Sequence, residues 1–119
     1  MNAGISIHVV DVATGKVAEG LTVSVERLKD GNRELTCAGQ IAANGLFAEL
    51  ADHSEMFEPG QYEVCLDVAD FYRAQGIQLP QVPFLDVLVY RFGLDDPQQH
   101  YHLPFKLTAW GLSCFRGGA

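Results

Sequence analysis

The chain has 119 residues, 48% of them hydrophobic, and a formal net charge of −7; this fits one globular domain over residues 1–119, with no need of a metal or disulfide staple. The acidic balance and the scatter of its eight Lys and Arg residues argue against a nucleic-acid partner or an anionic membrane, either of which would want a basic patch. No apolar run approaches a membrane span, and the opening "MNAGISIHVVDVATG" lacks the basic start and long apolar segment of a signal peptide, so the expected setting is soluble and cytoplasmic.

Short alternating segments separated by turn residues run along most of the chain, which is the pattern of an all-β sandwich. Ile5, Ile7 and Val9 alternate with Ser6, His8 and Val10 until "DVATGK" breaks the run. Leu21, Val23 and Val25 alternate with Thr22, Ser24 and Glu26, and "KDGN" follows as a turn. A weaker strand is expected over about Arg33 to Gly39, and "AANG" turns into a strand over Leu46 to Leu50. After "EPG", Tyr62, Val64 and Leu66 alternate with Gln61, Glu63 and Cys65.

"DVADFYRAQG" departs from the alternation. Val68, Phe71 and Tyr72 lie at helical spacing, Asp67 is placed to cap the start and Gly76 to end the segment. One short helix of about two turns is expected there. "LPQVP" forces an irregular connection before a strand over Asp86 to Phe92, and "GLDDPQQ" is a turn. In the final long strand Tyr101, Leu103, Phe105 and Leu107 fall on one face; His100, His102, Pro104, Lys106 and Thr108 fall on the other. The strand breaks near Gly111 and resumes over Leu112 to Arg116. The count is seven or eight strands and one helix.

"ISIHVVDVATGKVAEGLTVSVERL" near the start and "HYHLPFKLTAWGLSCFRGG" near the end resemble the transthyretin-like family, in particular its 5-hydroxyisourate hydrolase branch. That branch typically shows a "THVLD" opening, an "NGR" turn and an ending close to "HYHVPLLLSPYGYSTYRGS". The resemblance implies an eight-stranded, two-sheet transthyretin-like sandwich with one short helix. It also implies a homotetramer, a dimer of dimers with sites in the channel at the dimer–dimer interface, acting on a small-molecule substrate. The branch opens the ring of an oxidised purine by attack of water on a cyclic amide carbonyl. Its site uses the opening-strand histidine, the "NGR" arginine, the second histidine of "HYH" and the terminal serine.

Residue by residue the match is mixed. His8 and His102 stand at the two histidine positions, Leu46 at the arginine, Gly118 at the serine and Phe115 at the tail tyrosine, while Arg116 and Gly117 are kept. A lone histidine on a polar strand face is usually only solvated, but the resemblance makes His8 and His102 a pair facing one cavity. There a neutral imidazole can take a proton from water or from an acidic substrate. His100 shares the face without a role in the resemblance beyond supporting the strand, and His53 reads as an exposed loop residue.

Lys106 stands where the branch usually has an apolar residue. Either its stem packs along the wall with its head in water, or it replaces the missing arginine as the contact for substrate or developing oxyanion. A compact ammonium does not reproduce the flat bidentate grip of a guanidinium. A lysine desolvated among apolar residues can also have a lowered pKa and act as base or amine nucleophile. Ser113 lies in no GxSxG motif; it is expected to line the channel with Phe115, while Cys114 packs on the other face. Arg116 and Gly118 complete the expected substrate-binding set. Trp110 reads as interface or core, and Asp11 as the local cap of the "VATG" loop.

No metal or organic cofactor is implied, because the histidines lack the partners of a zinc site. Cys37, Cys65 and Cys114 have no metal spacing and read as reduced thiols. Three functions remain open. The first is a hydroxyisourate-hydrolase-like enzyme with altered specificity, with His8, His102 and Lys106 as its catalytic residues. The second is an enzyme repurposed for proton transfer, cyclisation or lyase chemistry in a specialised biosynthetic pathway, and the third a non-catalytic small-ligand binder. Two titratable imidazoles favour catalysis over binding.

Overall fold

The computed structural model describes residues 4–51 and 57–118. Its elements in chain order are β1 (Gly4–Asp11), β2 (Lys16–Val17), β3 (Thr22–Lys29), β4 (Asn32–Gln40), β5 (Gly60–Asp67), α1 (Val68–Ala74), β6 (Val87–Leu94), β7 (His100–Thr108) and β8 (Gly111–Ser113). The strands form two sheets of four, ordered β2-β1-β7-β8 and β4-β3-β5-β6. Each sheet turns its alternate apolar residues inward. Ile7, Val9, Leu103, Phe105 and Leu107 from one sheet meet Val23, Val25, Tyr62, Val64 and Leu66 from the other, all of them at most 1% exposed. Each such side chain contributes roughly 1.5–3 kcal/mol by leaving water, which is why alternation decides the register of every strand.

The expected strands are found with three corrections. The segment Leu46 to Leu50 is not a strand: Leu46 makes an isolated antiparallel bridge to His8, and residues 48–51 then form a tight 3₁₀ turn. Bonds from the Val9 amide to the Gly45 carbonyl and from the Phe47 amide to the Ile7 carbonyl extend the sheet edge that β2 begins. Asp67 does not cap α1 through its side chain, which makes no capping hydrogen bond. The far end behaves as expected: the Gly76 amide bonds the Arg73 carbonyl and the Ile77 amide the Tyr72 carbonyl, the paired closure of a Schellman motif.

The third correction concerns the end of the chain. β8 covers only Gly111–Ser113 rather than Leu112 to Arg116. Yet the register that pairs Lys106 with Ser113 continues unchanged to a bridge between His102 and Gly117. Between them Phe115 would face Pro104, which has no N–H to give to the ladder. One proline thus opens a gap in the edge strand, and the tail is clamped again by two bonds between the backbones of His102 and Gly117, at 2.9 and 2.7 Å.

Two buried carboxylates stabilise the frame. Asp11 is buried; its carboxylate accepts from the Tyr72 hydroxyl at 2.8 Å and from the Thr14 hydroxyl at 2.8 Å. The helix is thereby tied to the β1–β2 turn, so Asp11 does more than cap its own loop. Burial, then the bond to Asp11, pushes the Tyr72 hydroxyl pKa up. On the opposite sheet Glu63 is 3% exposed and ion-paired with Arg33 and Arg91, at 2.8 and 2.9 Å. His53 lies outside the described residues.

Replacing Tyr72 by Phe removes one partner of a buried carboxylate and is expected to cost about 1–3 kcal/mol. Thermal or urea unfolding of the variant would show this as a lowered midpoint with an unchanged denaturant slope. An unchanged midpoint would mean the helix is not held by this bond.

Candidate active site

β1 and β7 run parallel along eight paired positions, from Gly4 opposite His100 to Asp11 opposite Leu107. Their inward residues belong to the core, so Ser6 and His8 of β1 and His100, His102, Pro104 and Lys106 of β7 share the outer face. The register sets Ser6 beside His102 and His8 beside Pro104. Ser6 Oγ stands 2.7 Å from His100 Nε2 and 2.6 Å from His102 Nδ1, and so links the two imidazoles of β7. This serine escaped the sequence reading. A hydroxyl on a strand's polar face gives no signal until the partner strand and its register are known.

The ring of His8 lies across the turn before Leu46. Its Nε2 is 3.1 Å from the Asn44 carbonyl, and a side chain on Gly45 would collide with it. Leu46, bridged to His8, therefore stands on the same face and is 36% exposed. His102 is half-buried, and its pKa is lowered from the usual 6.5, first by burial and then by the neighbouring His100 and His8.

Further along the face Lys106 is exposed and pairs with Ser113 of β8. Its ammonium lies 6.0 Å from the centroid of the Phe115 ring, which is itself 56% exposed. Cys114 faces the other way and packs against the core. Arg116 is held by groups other than the imidazole rings. It stacks 4.0 Å from the centre of the Tyr101 ring and donates to the Gln99 side chain and the His100 carbonyl. Trp110 is 62% exposed beside Phe84, at the β7–β8 turn.

Gly118 closes the tail over the imidazoles with φ +75°, and a Cβ there would come 2.9 Å from His100 Cδ2 and 3.1 Å from His102 Cβ. The face carries His8, His102, Lys106, Ser113, Leu46 and Phe115 together, but as an open surface. A cavity of about 700 Å³ lies elsewhere, between the β1–β2 turn, α1 and the β7–β8 turn, and none of these six residues lines it.

Residues 5–117 match the HIUase/Transthyretin family. The chain belongs to that family. The 5-hydroxyisourate hydrolase of Pseudomonas aeruginosa is 33% identical over 113 residues, which are 95% of this chain and 90% of that protein. Among solved family structures, the 5-hydroxyisourate hydrolase of Klebsiella pneumoniae aligns at TM-score 0.77 with 27% identity, covering 97% of this chain and 99% of its own. A structure of (S)-allantoin synthase aligns at TM-score 0.85 with 26% identity over 97% of this chain; the match spans 43% of that longer protein. No helix among the described residues is long and apolar enough to cross a membrane.

The lowered His102 pKa has a definite sign. Below 6.5 the unfolded chain takes the proton before the folded one. The stability His102 confers is thus full above that pH, is lost as pH falls through the folded midpoint, and levels off below it. A histidine titration by NMR should place the His102 midpoint under 6.5, and a midpoint at or above 6.5 would refute this.

Gly118→Ala forces a side chain into a left-handed residue beside His100, at a cost of about 1–2 kcal/mol. The variant should unfold earlier and shift the His100 and His102 ring resonances. A silent substitution would show that the tail is not seated on those rings.

Proposed function

We propose that this chain is an enzyme of the 5-hydroxyisourate hydrolase type with altered specificity, opening the ring of a small cyclic amide by adding water at its carbonyl. The observation that carries this reading is the placing of His8 and His102 on one face, with Lys106 further along it. Family membership and the name of the Pseudomonas relative support the reaction class.

In this reading His8 and His102 serve as acid and base: one takes a proton from the attacking water and the other assists the ring nitrogen as the C–N bond breaks. Lys106 holds the substrate or the charge that develops on the carbonyl oxygen. A neutral imidazole suits this work near pH 7, and the lowered pKa keeps His102 in that form. Ser113 and Phe115 flank Lys106, Leu46 flanks His8, Gly118 lets the tail close over the imidazoles, and Arg116 holds the tail from behind.

The open histidine face fits a homotetramer, a dimer of dimers in which a second copy walls the site at the dimer–dimer interface. Leu46 and Phe115 give that face an apolar character and favour one further reading. The same groups would then perform another reaction on a more apolar ring compound, by proton transfer, cyclisation or lyase chemistry. The two imidazoles argue against a purely passive binder.

The test is the decay of freshly generated 5-hydroxyisourate with and without the protein. Acceleration is expected, falling by about 10²-fold or more in His8→Ala and His102→Ala. Lys106→Met should lower kcat or raise KM by about tenfold. Undiminished turnover in Lys106→Met removes that residue from the mechanism. A well-folded wild type with no acceleration would refute the purine-ring substrate and favour the second reading.

A further inference from the structure

Ser6 has one hydroxyl proton and two imidazole nitrogens within hydrogen-bonding distance, 2.7 Å to His100 Nε2 and 2.6 Å to His102 Nδ1. The hydroxyl can donate to one of them only, so the other nitrogen must donate to Ser6 Oγ. Two arrangements satisfy this. In the first, His100 Nε2–H donates to Ser6 and Ser6 donates to His102 Nδ1. In the second, His102 Nδ1–H donates to Ser6 and Ser6 donates to His100 Nε2.

The buried far side of His100 decides between them. Among the described residues, His100 Nδ1 is buried without a hydrogen-bond partner. In the second arrangement neutral His100 carries its proton on that nitrogen, leaving a buried N–H with no acceptor. In the first, the same nitrogen keeps a bare lone pair, and the N–H is spent on Ser6 at the other end of the ring. Bare acceptors are tolerated in protein interiors more often than orphaned N–H groups. The backbone clamp between His102 and Gly117, and the seat of Gly118 against His100 Cδ2, keep both rings in place.

We propose that His100 and Ser6 are positioning residues that hold neutral His102 with its proton on Nε2, so that His102 faces the substrate as a hydrogen-bond donor. His8 is held the other way round. Its Nε2 must donate to the Asn44 carbonyl 3.1 Å away, which leaves Nδ1 as the free basic nitrogen. The pair therefore divides its work: His8 takes the proton of water, and His102 steadies the oxygen or nitrogen that gains charge. Burial, His100 and His8 are the influences on the His102 pKa, and no carboxylate is among them. A hydroxyl and a third imidazole thus do the orienting that a carboxylate does in many enzymes.

The division rests on the hydrolytic reading for its consequence, but the tautomer can be read without any substrate. Long-range ¹H–¹⁵N NMR of the intact protein above the His102 midpoint should show a protonated Nε2 and an unprotonated Nδ1 on His102. His100→Gln keeps a donor at the Nε2 position and should preserve both the tautomer and kcat to within about threefold. His100→Glu supplies only an acceptor when ionised, so Ser6 must turn toward it and accept from His102. That variant should show His102 protonated on Nδ1 and lose about tenfold or more in kcat, with KM changed less than threefold. A wild-type spectrum with Nδ1 protonated overturns the proposal, as does a glutamate variant that matches the glutamine variant in both tautomer and kcat. If hydroxyisourate is not turned over while the tautomers behave as stated, the hydrolase reading fails and the positioning role stands.

Discussion

The parallel ladder between β1 and β7 is the constraint on which the rest depends. It joins residues nearly a whole chain apart, Gly4 with His100 and Asp11 with Leu107, and it lies at the centre of its sheet. A parallel pair in one register allows one set of neighbours on each face. On the inner face that set is Ile7, Val9, Leu103 and Phe105, each at most 1% exposed. On the outer face it is Ser6, His8, His100 and His102. A slip by one residue would bury the histidines and expose the core, so the hydrophobic demand of one face fixes the polar geometry of the other.

The two edges of that sheet are handled differently, and both serve the histidines. Beside β1, the short β2 and the bridged Leu46 carry the Asn44 carbonyl to His8. Beside β7, Pro104 interrupts β8 and Gly117 re-engages it at His102. The gap frees residues 114–116 from the ladder, and Arg116 uses that freedom to lie over Tyr101. The result is a flank on either side of the imidazoles, held by backbone bonds and open to replacement of side chains such as Leu46 and Phe115.

Much of this was legible in the sequence. The alternation from Tyr101 to Leu107 placed the two histidines and Lys106 on one face, and the same pattern in Ile5, Ile7 and Val9 placed His8. What the pattern could not convey was which strands are neighbours, because alternation speaks of faces and not of partners. Ser6 therefore looked like any hydroxyl on a wet strand, and His100 like a bystander. Leu46 to Leu50 read as a strand, yet of these residues Leu46 alone forms a β-bridge, and the chain then turns as a 3₁₀ segment. Asp67 had the right chemistry for a cap, but its side chain makes no such bond. Family resemblance filled part of the gap by pairing the two ends of the chain before any register was known.

The distance along the chain between β1 and β7 also has a consequence during synthesis. β1 leaves the ribosome well before β7, with three inward apolar residues and an unpaired edge, and that central partner follows only after some 90 further residues. At ordinary elongation rates of about 5–20 residues per second, that edge waits on the order of ten seconds. Throughout that interval the nascent chain has an open strand edge and no assembled histidine face, the condition in which strands are prone to mispair and chaperones are engaged.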